Sequence, residues 1–426
     1  MSFELIPEKL VYGGAALGHA EGRTVLVPFA LPGERLEVES VRTAKGVIHA
    51  RPIRILEAAS RRIAPPCAYF ARCGGCHYQH LSAEHQTSTK VEILRETLRR
   101  LGKIEWESDI TVHAAESRGY RNQAQLKVAG MPDGQVELGF FEAESHRLFP
   151  VDECLILSPR LNGVLGELRS AEWTGRLGDI HEIDLLADDR DERVVVTLRG
   201  RGNSKKNEAL AGDLLRRIQA VVSVGVEGDE GARVFGGAAL EYAVPPFRYR
   251  VSPGSFFQSS RFLLPELVEA VTGDISGALA LDIFAGVGLF TLPLAKRFER
   301  VLAVEAHPGS ARDLAANAKA HDCDNVRVAH ETAYDFLRRF AQSDFDGVIL
   351  DPPRAGAGVA ALKLLINCRP RRIHYVSCSP PTLARDLAYL TSRGYRLISV
   401  EMFDFFPQTF HIECLAKLTR TDNPSS

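Results

Sequence analysis

From residue 261 onward the chain alternates between short apolar stretches and segments of helical period. Strands are expected at 278–284, 300–305, 326–330, 346–350 and 372–377, with helices at 288–297, 309–321, 332–341, 357–367 and 380–392. That alternation predicts a doubly wound α/β sheet with helices on both faces. Two last strands, near 396–404 and 409–418, have no helix between them. They are therefore expected to form an antiparallel hairpin at the sheet edge.

The pattern upstream is different. Residues 1–58 alternate β-branched stretches such as Thr24-Val25-Leu26-Val27 with glycine turns at Gly13-Gly14 and Pro32-Gly33, which predicts a small β-barrel. After Ala64-Pro65-Pro66, residues 82–101 carry a helical stripe of Val91, Leu94, Leu98 and Leu101. Residues 110–252 are mostly strand-like, at 121–128, 135–141, 180–187 and 193–199, with helical stretches near 158–170 and 205–220. The expected division is a barrel at 1–58, a β-rich central domain at 59–252, an α/β domain at 253–420 and a polar tail at 421–426.

At 426 residues the chain is long enough for two or three cores, and 45% hydrophobic with 25% charged residues is ordinary for a globular protein. No apolar run is long enough to span a bilayer, and the N-terminus lacks the pattern of a secretory signal. A cytoplasmic location is the resulting expectation. A net charge of −2 argues against a wholly basic surface for nucleic acid, but not against a local one. Between Ser40 and Arg62 stand Arg42, Lys45, Arg51, Arg54, Arg61 and Arg62, against one acid, Glu57. This stretch reads either as a solvated face or as one that contacts phosphates.

Candidate chemistry collects at the strand ends of the α/β domain. Strand 278–284 runs into Ala285-Gly286-Val287-Gly288, where glycines permit close approach of a ligand to the backbone. Glu305 ends the second strand, where an acid can accept from both ribose hydroxyls. The rival reading is a plain strand-to-helix turn with an incidental acid. Asp351-Pro352-Pro353-Arg354 follows the fourth strand, Cys378 the fifth, and Glu413 lies on the last. Carbon 5 of uracil is a poor nucleophile until a thiolate adds to carbon 6, and a base must later remove the carbon 5 proton. A thiol, a carboxylate and a sulfonium donor in one pocket suit that chemistry. Cys323, Cys368 and Cys414 read as packing residues, Cys414 because it must face away from Glu413.

A second group, Cys67, Cys73 and Cys76 around Gly74-Gly75, places three thiols in one tight loop, with the glycines expected to permit the turn. Cys154 is the other thiol in the first half of the chain. Four cysteines fit an iron–sulfur cluster. Tetrahedral zinc is the rival, with His77 or His80 as further ligands.

Together these motifs resemble the RNA 5-methyluridine methyltransferase family, in its branch with a TRAM barrel and a [4Fe-4S] cluster. The likeness runs over nearly the whole chain. Its markers are Gly33-Glu34, the Cys67/Cys73/Cys76 loop with Gln79-His80, Tyr120-Arg121-Asn122, Phe256-Phe257-Gln258, Asp351-Pro352-Pro353-Arg354, Ser377-Cys378 and Pro407-Gln408-Thr409. The terminal hairpin also suits a class I methyltransferase better than a nicotinamide-binding fold. The resemblance implies that Gln258, Phe284, Glu305 and Asp351 contact S-adenosylmethionine, that Cys378 is the nucleophile and Glu413 the base, and that Cys154 completes the cluster. Leu289 stands where some members carry a cofactor-touching Asn, and Ser379 where Asn commonly follows the nucleophile. The expected partner is a structured RNA, 23S rRNA ahead of tRNA, because the basic barrel offers binding surface well away from the pocket. Phe256 and Phe257 are the aromatics expected to hold a flipped base. No membrane contact and a monomer are expected. Rival readings are cytosine C5 methylation and an RNA-binding iron–sulfur protein with an inactive methyltransferase fold.

Overall fold

A computed structural model describes residues 2–421 apart from 131–135, 202–203, 230, 238 and 341–343. Of the expected polar tail, 422–426 therefore lie outside the described residues, as do position 135 of one expected strand and 341 of one expected helix. Eight strands form the sheet of the C-terminal half. In spatial order they are Val326–His330, Phe298–Glu305, Gly277–Ile283, Gly347–Leu350, Arg372–Ser377, Glu413–Arg420, Tyr395–Phe403 and Thr111–His113. The first five run parallel, and Glu413–Arg420 is inserted antiparallel between Arg372–Ser377 and Tyr395–Phe403. The order reverses beside Gly277–Ile283, and the crevice at the carboxyl ends of these strands is where ligands of open α/β sheets bind.

The terminal hairpin forms, but it is not the sheet edge. Thr111–His113, from the region expected to be central, pairs in parallel with Glu401–Phe403 and takes the edge position. Helix Ala83–Gly102 likewise packs on helix Pro380–Thr391 of the C-terminal sheet. Of the expected apolar stripe, Leu94 and Leu98 are buried and Val91 is partly buried against the core, but the buried face is wider and turned away from the last position. Leu101 is 56% exposed, whereas Gln86, Thr89 and Lys90 are buried with Ile93, Leu94 and Leu98.

The N-terminal segment folds as a six-stranded sheet that curls until Leu5 and the carbonyl of Ile6 meet Gly18 on another strand. Its apolar interior, including Val25, Val27, Leu36 and Val38, continues without a break into helix Ala83–Gly102 and one face of the C-terminal sheet. Apart from its basic stretch, the barrel also abuts the catalytic half: Tyr12 reaches the Cys378 carbonyl at 3.5 Å and packs edge-on against Phe410. The basic stretch is also less basic in space than along the chain. Arg51 pairs with Glu39, Arg54 with Glu37 and Arg62 with buried Glu34, acids contributed by the neighbouring strand and its turn. Arg42, Lys45 and Arg61 have no acid partner in the described residues.

The central seven-stranded sheet, residues 123–236 with Leu148–Pro150 at one edge, has its own core against helices Pro159–Leu168 and Ser204–Arg217. After it, the hairpin Leu240–Val244 and Phe247–Val251 packs against helix Pro308–Ala320 through Arg250, which donates to Asp313 at 3.0 Å.

Candidate active site and cysteine cavity

Strand Gly277–Ile283 ends in a turn of unusual backbone: Phe284, Gly286 and Gly288 have φ of 67°, 56° and 97°. Glycine takes that region freely, while a phenylalanine there is strained and recurs at ligand sites. The turn is tied to the second strand through Glu305, whose carboxylate accepts from the amides of Gly286 at 2.8 Å and His307 at 2.6 Å. Its remaining lone pairs stay available to hydroxyl donors. Helix Thr291–Ala295 is far shorter than the expected 288–297, because the glycine turn extends to residue 290.

A cavity of about 830 Å³ opens beside this turn, within the range of small-molecule sites. All six residues proposed from the sequence line it: Gln258, Phe284, Glu305, Asp351, Cys378 and Glu413. Gln258 donates to Asp351 at 3.2 Å. Sequence reasoning did not assign Arg354, Phe406, His411 or Glu331, which line the same cavity. Leu289 lines it as well, so an apolar side chain occupies the position where some relatives carry Asn. Of the two neighbouring phenylalanines, Phe256 is 60% exposed at the rim, whereas Phe257 is buried and packs on Tyr242.

Burial dominates the electrostatics. The Cys378 thiol is pushed up to about 12 by burial and then by the nearby Glu413 carboxyl, while Arg354 opposes the shift. Glu413 is raised well above the usual carboxylate range by burial and by Asp351, again opposed by Arg354. Asp351 and Asp282 are each raised to about 7, by burial and by a neighbouring carboxyl. A second influence favours the thiolate: Cys378 lies one residue before the Ser379 cap of helix Pro380–Thr391, at the positive end of the helix. The cavity thus holds more buried acid than fixed cation, and a cationic ligand would relieve the mismatch. Cys414 faces the opposite side into a hydrophobic core, where Cys368 also lies, and Cys323 sits in the core of the other sheet face.

A separate cavity of about 180 Å³ is lined by Cys67, Cys73, Cys76 and Cys154. Burial pushes Cys73 up to about 11 and Cys76 to about 12, with the other thiols adding to the shift. None of the four is in a disulfide. Among the described residues no His, Cys, Asp or Glu group is drawn together tightly enough to form a closed metal site. The donor set nonetheless fits a thiolate-bound cluster: four sulfurs line one cavity whose wall is mostly apolar but includes Arg121, Gln125 and Glu153, and Gln79 accepts from the Cys67 amide at 3.1 Å. His77 and His80 do not line this cavity. The glycines act differently from expectation. Neither Gly74 nor Gly75 has positive φ; Ala71 does. Gly74 instead allows close approach, since a Cβ there would meet the Phe141 carbonyl oxygen at 3.1 Å.

The doubly wound sheet, strained glycine turn and acid-rich cavity define a class I methyltransferase. A profile for tRNA (uracil-5-)-methyltransferases matches residues 82–421. The chain is 34% identical to the 23S rRNA (uracil(1939)-C(5))-methyltransferase RlmD of Alkalilimnicola ehrlichii, over 98% of this chain and 96% of that one. It is 33% identical to an RNA methyltransferase of Aquifex aeolicus, over 98% of this chain and 99% of the relative. Among solved structures it is similar to the Pyrococcus abyssi tRNA (uracil-54, C5)-methyltransferase in complex with S-adenosyl-L-homocysteine. That likeness has a TM-score of 0.75 and 25% identity, over 98% of this chain and 100% of that one. The chain belongs to the tRNA (uracil-5-)-methyltransferase family. It is an S-adenosylmethionine-dependent RNA (uracil-C5-)-methyltransferase.

Proposed function

We propose that this enzyme methylates carbon 5 of a uridine in 23S rRNA, in the cytoplasm, through a covalent bond between Cys378 and carbon 6 of the base. The observation that carries the reading is the convergence of Cys378, Glu413, Arg354 and the glycine turn on one cavity. Gln258, Phe284, Glu305 and Asp351 are the residues that would bind S-adenosylmethionine, which supplies the methyl group when bound. Cys378 adds to carbon 6 of a flipped uracil, with Phe256 at the rim to stack on it. Arg354 steadies the thiolate and the developing negative charge on the ring. Glu413 then removes the carbon 5 proton, and the thiol leaves. Its high resting pKa means that it must first lose its own proton, and the positive charges of Arg354 and the donor favour that loss.

Ribosomal RNA is favoured over tRNA by the 34% identity along the full chain to an enzyme named for 23S rRNA. The tRNA reading has support from the fold shared with an enzyme named for tRNA. Methyl incorporation into unmodified 23S rRNA fragments and unmodified tRNA, compared side by side, decides between them; faster labelling of tRNA overturns the rRNA reading. Cys67, Cys73, Cys76 and Cys154 would hold a [4Fe-4S] cluster with a structural role, since methyl transfer from a sulfonium needs no electron.

A further inference from the structure

The loop at 404–412 brings Phe406 and His411 to the cavity and leads directly into Glu413. Groups from the N-terminal half of the chain hold it. Gln86, 1% exposed, donates to the Gln408 side-chain oxygen at 2.9 Å and accepts from the Gln408 amide at 2.7 Å. Lys90, wholly buried, donates to the Asp404 carboxylate at 2.6 Å and to the Phe406 carbonyl at 2.9 Å. The residues just after Cys76 complete the hold: the amides of His77 and Tyr78 both donate to the Gln408 carbonyl, at 2.8 and 2.9 Å. Gln408 itself has φ of 69°, a backbone state that a non-glycine residue keeps only when its surroundings impose it.

None of Gln86, Lys90, His77 or Tyr78 lines the cavity. Apolar side chains of the same size would close this part of the core with less desolvation. The polar set does what an apolar one would not: it fixes the loop in one register. We propose that Gln86, Lys90 and the Cys76–Tyr78 segment are positioning residues for Glu413, so that the cysteine cavity acts on catalysis by holding the base in place. This rests on the covalent reading above and gives the cysteine segment a task within it.

The step concerned is elimination. Glu413 takes the proton from carbon 5, the pair of that C–H bond forms the C5=C6 double bond, and the C6–S pair leaves with Cys378. Addition of the thiol and transfer of the methyl group precede it and do not use the carboxylate, so a displaced Glu413 slows elimination most.

The test uses full-length Gln86→Met and Gln86→Glu, purified without oxygen. Gln86→Met should lower kcat roughly 10- to 100-fold, the scale expected for a group misplaced by about 1 Å, with KM for S-adenosylmethionine within about twofold. On ordinary uridine RNA it should accumulate a protein–RNA adduct that survives a denaturing gel and is absent from wild type. Gln86→Glu keeps the acceptor for the Gln408 amide and should fall between the two, which carries the test if Gln86→Met does not fold. Cys76→Ser should give the same adduct. RNA containing 5-fluorouridine separates the proposal from its basis, because fluorine leaves no carbon 5 proton to remove. Wild type and Gln86→Met should both be trapped on it. Absence of any trapped wild-type complex there overturns the covalent reading, and this proposal with it. Normal trapping there, with a Gln86→Met enzyme that is slow on uridine RNA yet leaves no adduct, or that keeps wild-type kcat, overturns the positioning role alone.

Discussion

Among the described residues two cavities are lined by half-buried cysteines, and burial raises Cys378 in one and Cys73, Cys76 and Cys154 in the other. At Cys378 a single thiol faces a carboxyl, a guanidinium and a helix N-terminus. In the other cavity Cys67, Cys73, Cys76 and Cys154 face chiefly one another. A lone thiol beside a cation can give up its proton for the length of a reaction and take it back. Four thiols in one pocket with a single guanidinium, Arg121, on its wall cannot all ionise together unless a further cation stays bound among them. The surroundings, more than the depth of burial, separate a nucleophile from a ligand.

The largest break in that comparison comes from Cys378→Ala. Turnover should fall by roughly 10⁴-fold or more, as for other lost nucleophiles, while S-adenosylmethionine still binds by calorimetry. Substitution in the second cavity should look different. Serine at Cys67, Cys73, Cys76 or Cys154 should bleach the visible absorbance of anaerobically purified protein and lower its melting temperature; a colourless wild-type protein with stoichiometric zinc contradicts the cluster. The link between the cavities is open to measurement as well. Lys90→Met leaves Asp404 buried without its partner and should cost about 3–5 kcal/mol by denaturant unfolding. Lys90→Met combined with Asp404→Leu should recover part of that loss.

A smaller effect follows from pH. Asp351 is raised to about 7 by burial and by Asp282, so its folded form prefers the proton. Its contribution to stability is complete below the ordinary carboxylate pKa, near 4, and is lost as pH rises through 7. Binding of a cationic donor favours the ionised form. Affinity for S-adenosylmethionine should therefore rise with pH up to about 7, at most about tenfold per unit, and binding near pH 6 should release a proton; uptake of a proton contradicts the role given to Asp351. The smallest effect belongs to the N-terminal sheet. With Arg51, Arg54 and Arg62 already paired to acids, only Arg42, Lys45 and Arg61 remain for phosphates. Replacing all three with Gln should flatten the salt dependence of RNA binding by no more than about three phosphate contacts.

What the sequence made readable follows from what period and motif can carry. The parallel strands and their helices repeat apolar residues locally, and the six proposed cofactor and catalytic residues stand at strand ends or in motifs of their own. The clamp on the 404–412 loop was not readable. Gln86 and Lys90 interrupt the apolar stripe of their helix and look solvent-facing until Gln408 and Asp404, more than 300 positions away, are folded against them. The pairing of Arg51 with Glu39 hides in the same way, because a strand register brings together residues that linear charge counting keeps apart. Thr111–His113 gives no signal either, since a three-residue strand has too little pattern to assign to a sheet.

The central claim is that Cys378 attacks the base and Glu413 releases the product. Glu413→Gln should be incubated with S-adenosylmethionine and unmodified uridine RNA, then denatured, digested and analysed by mass spectrometry. The account predicts a nucleotide bonded to the peptide containing Cys378 and carrying one added methyl group. Methylated RNA released free of protein, or lost activity with no bonded nucleotide, would contradict it.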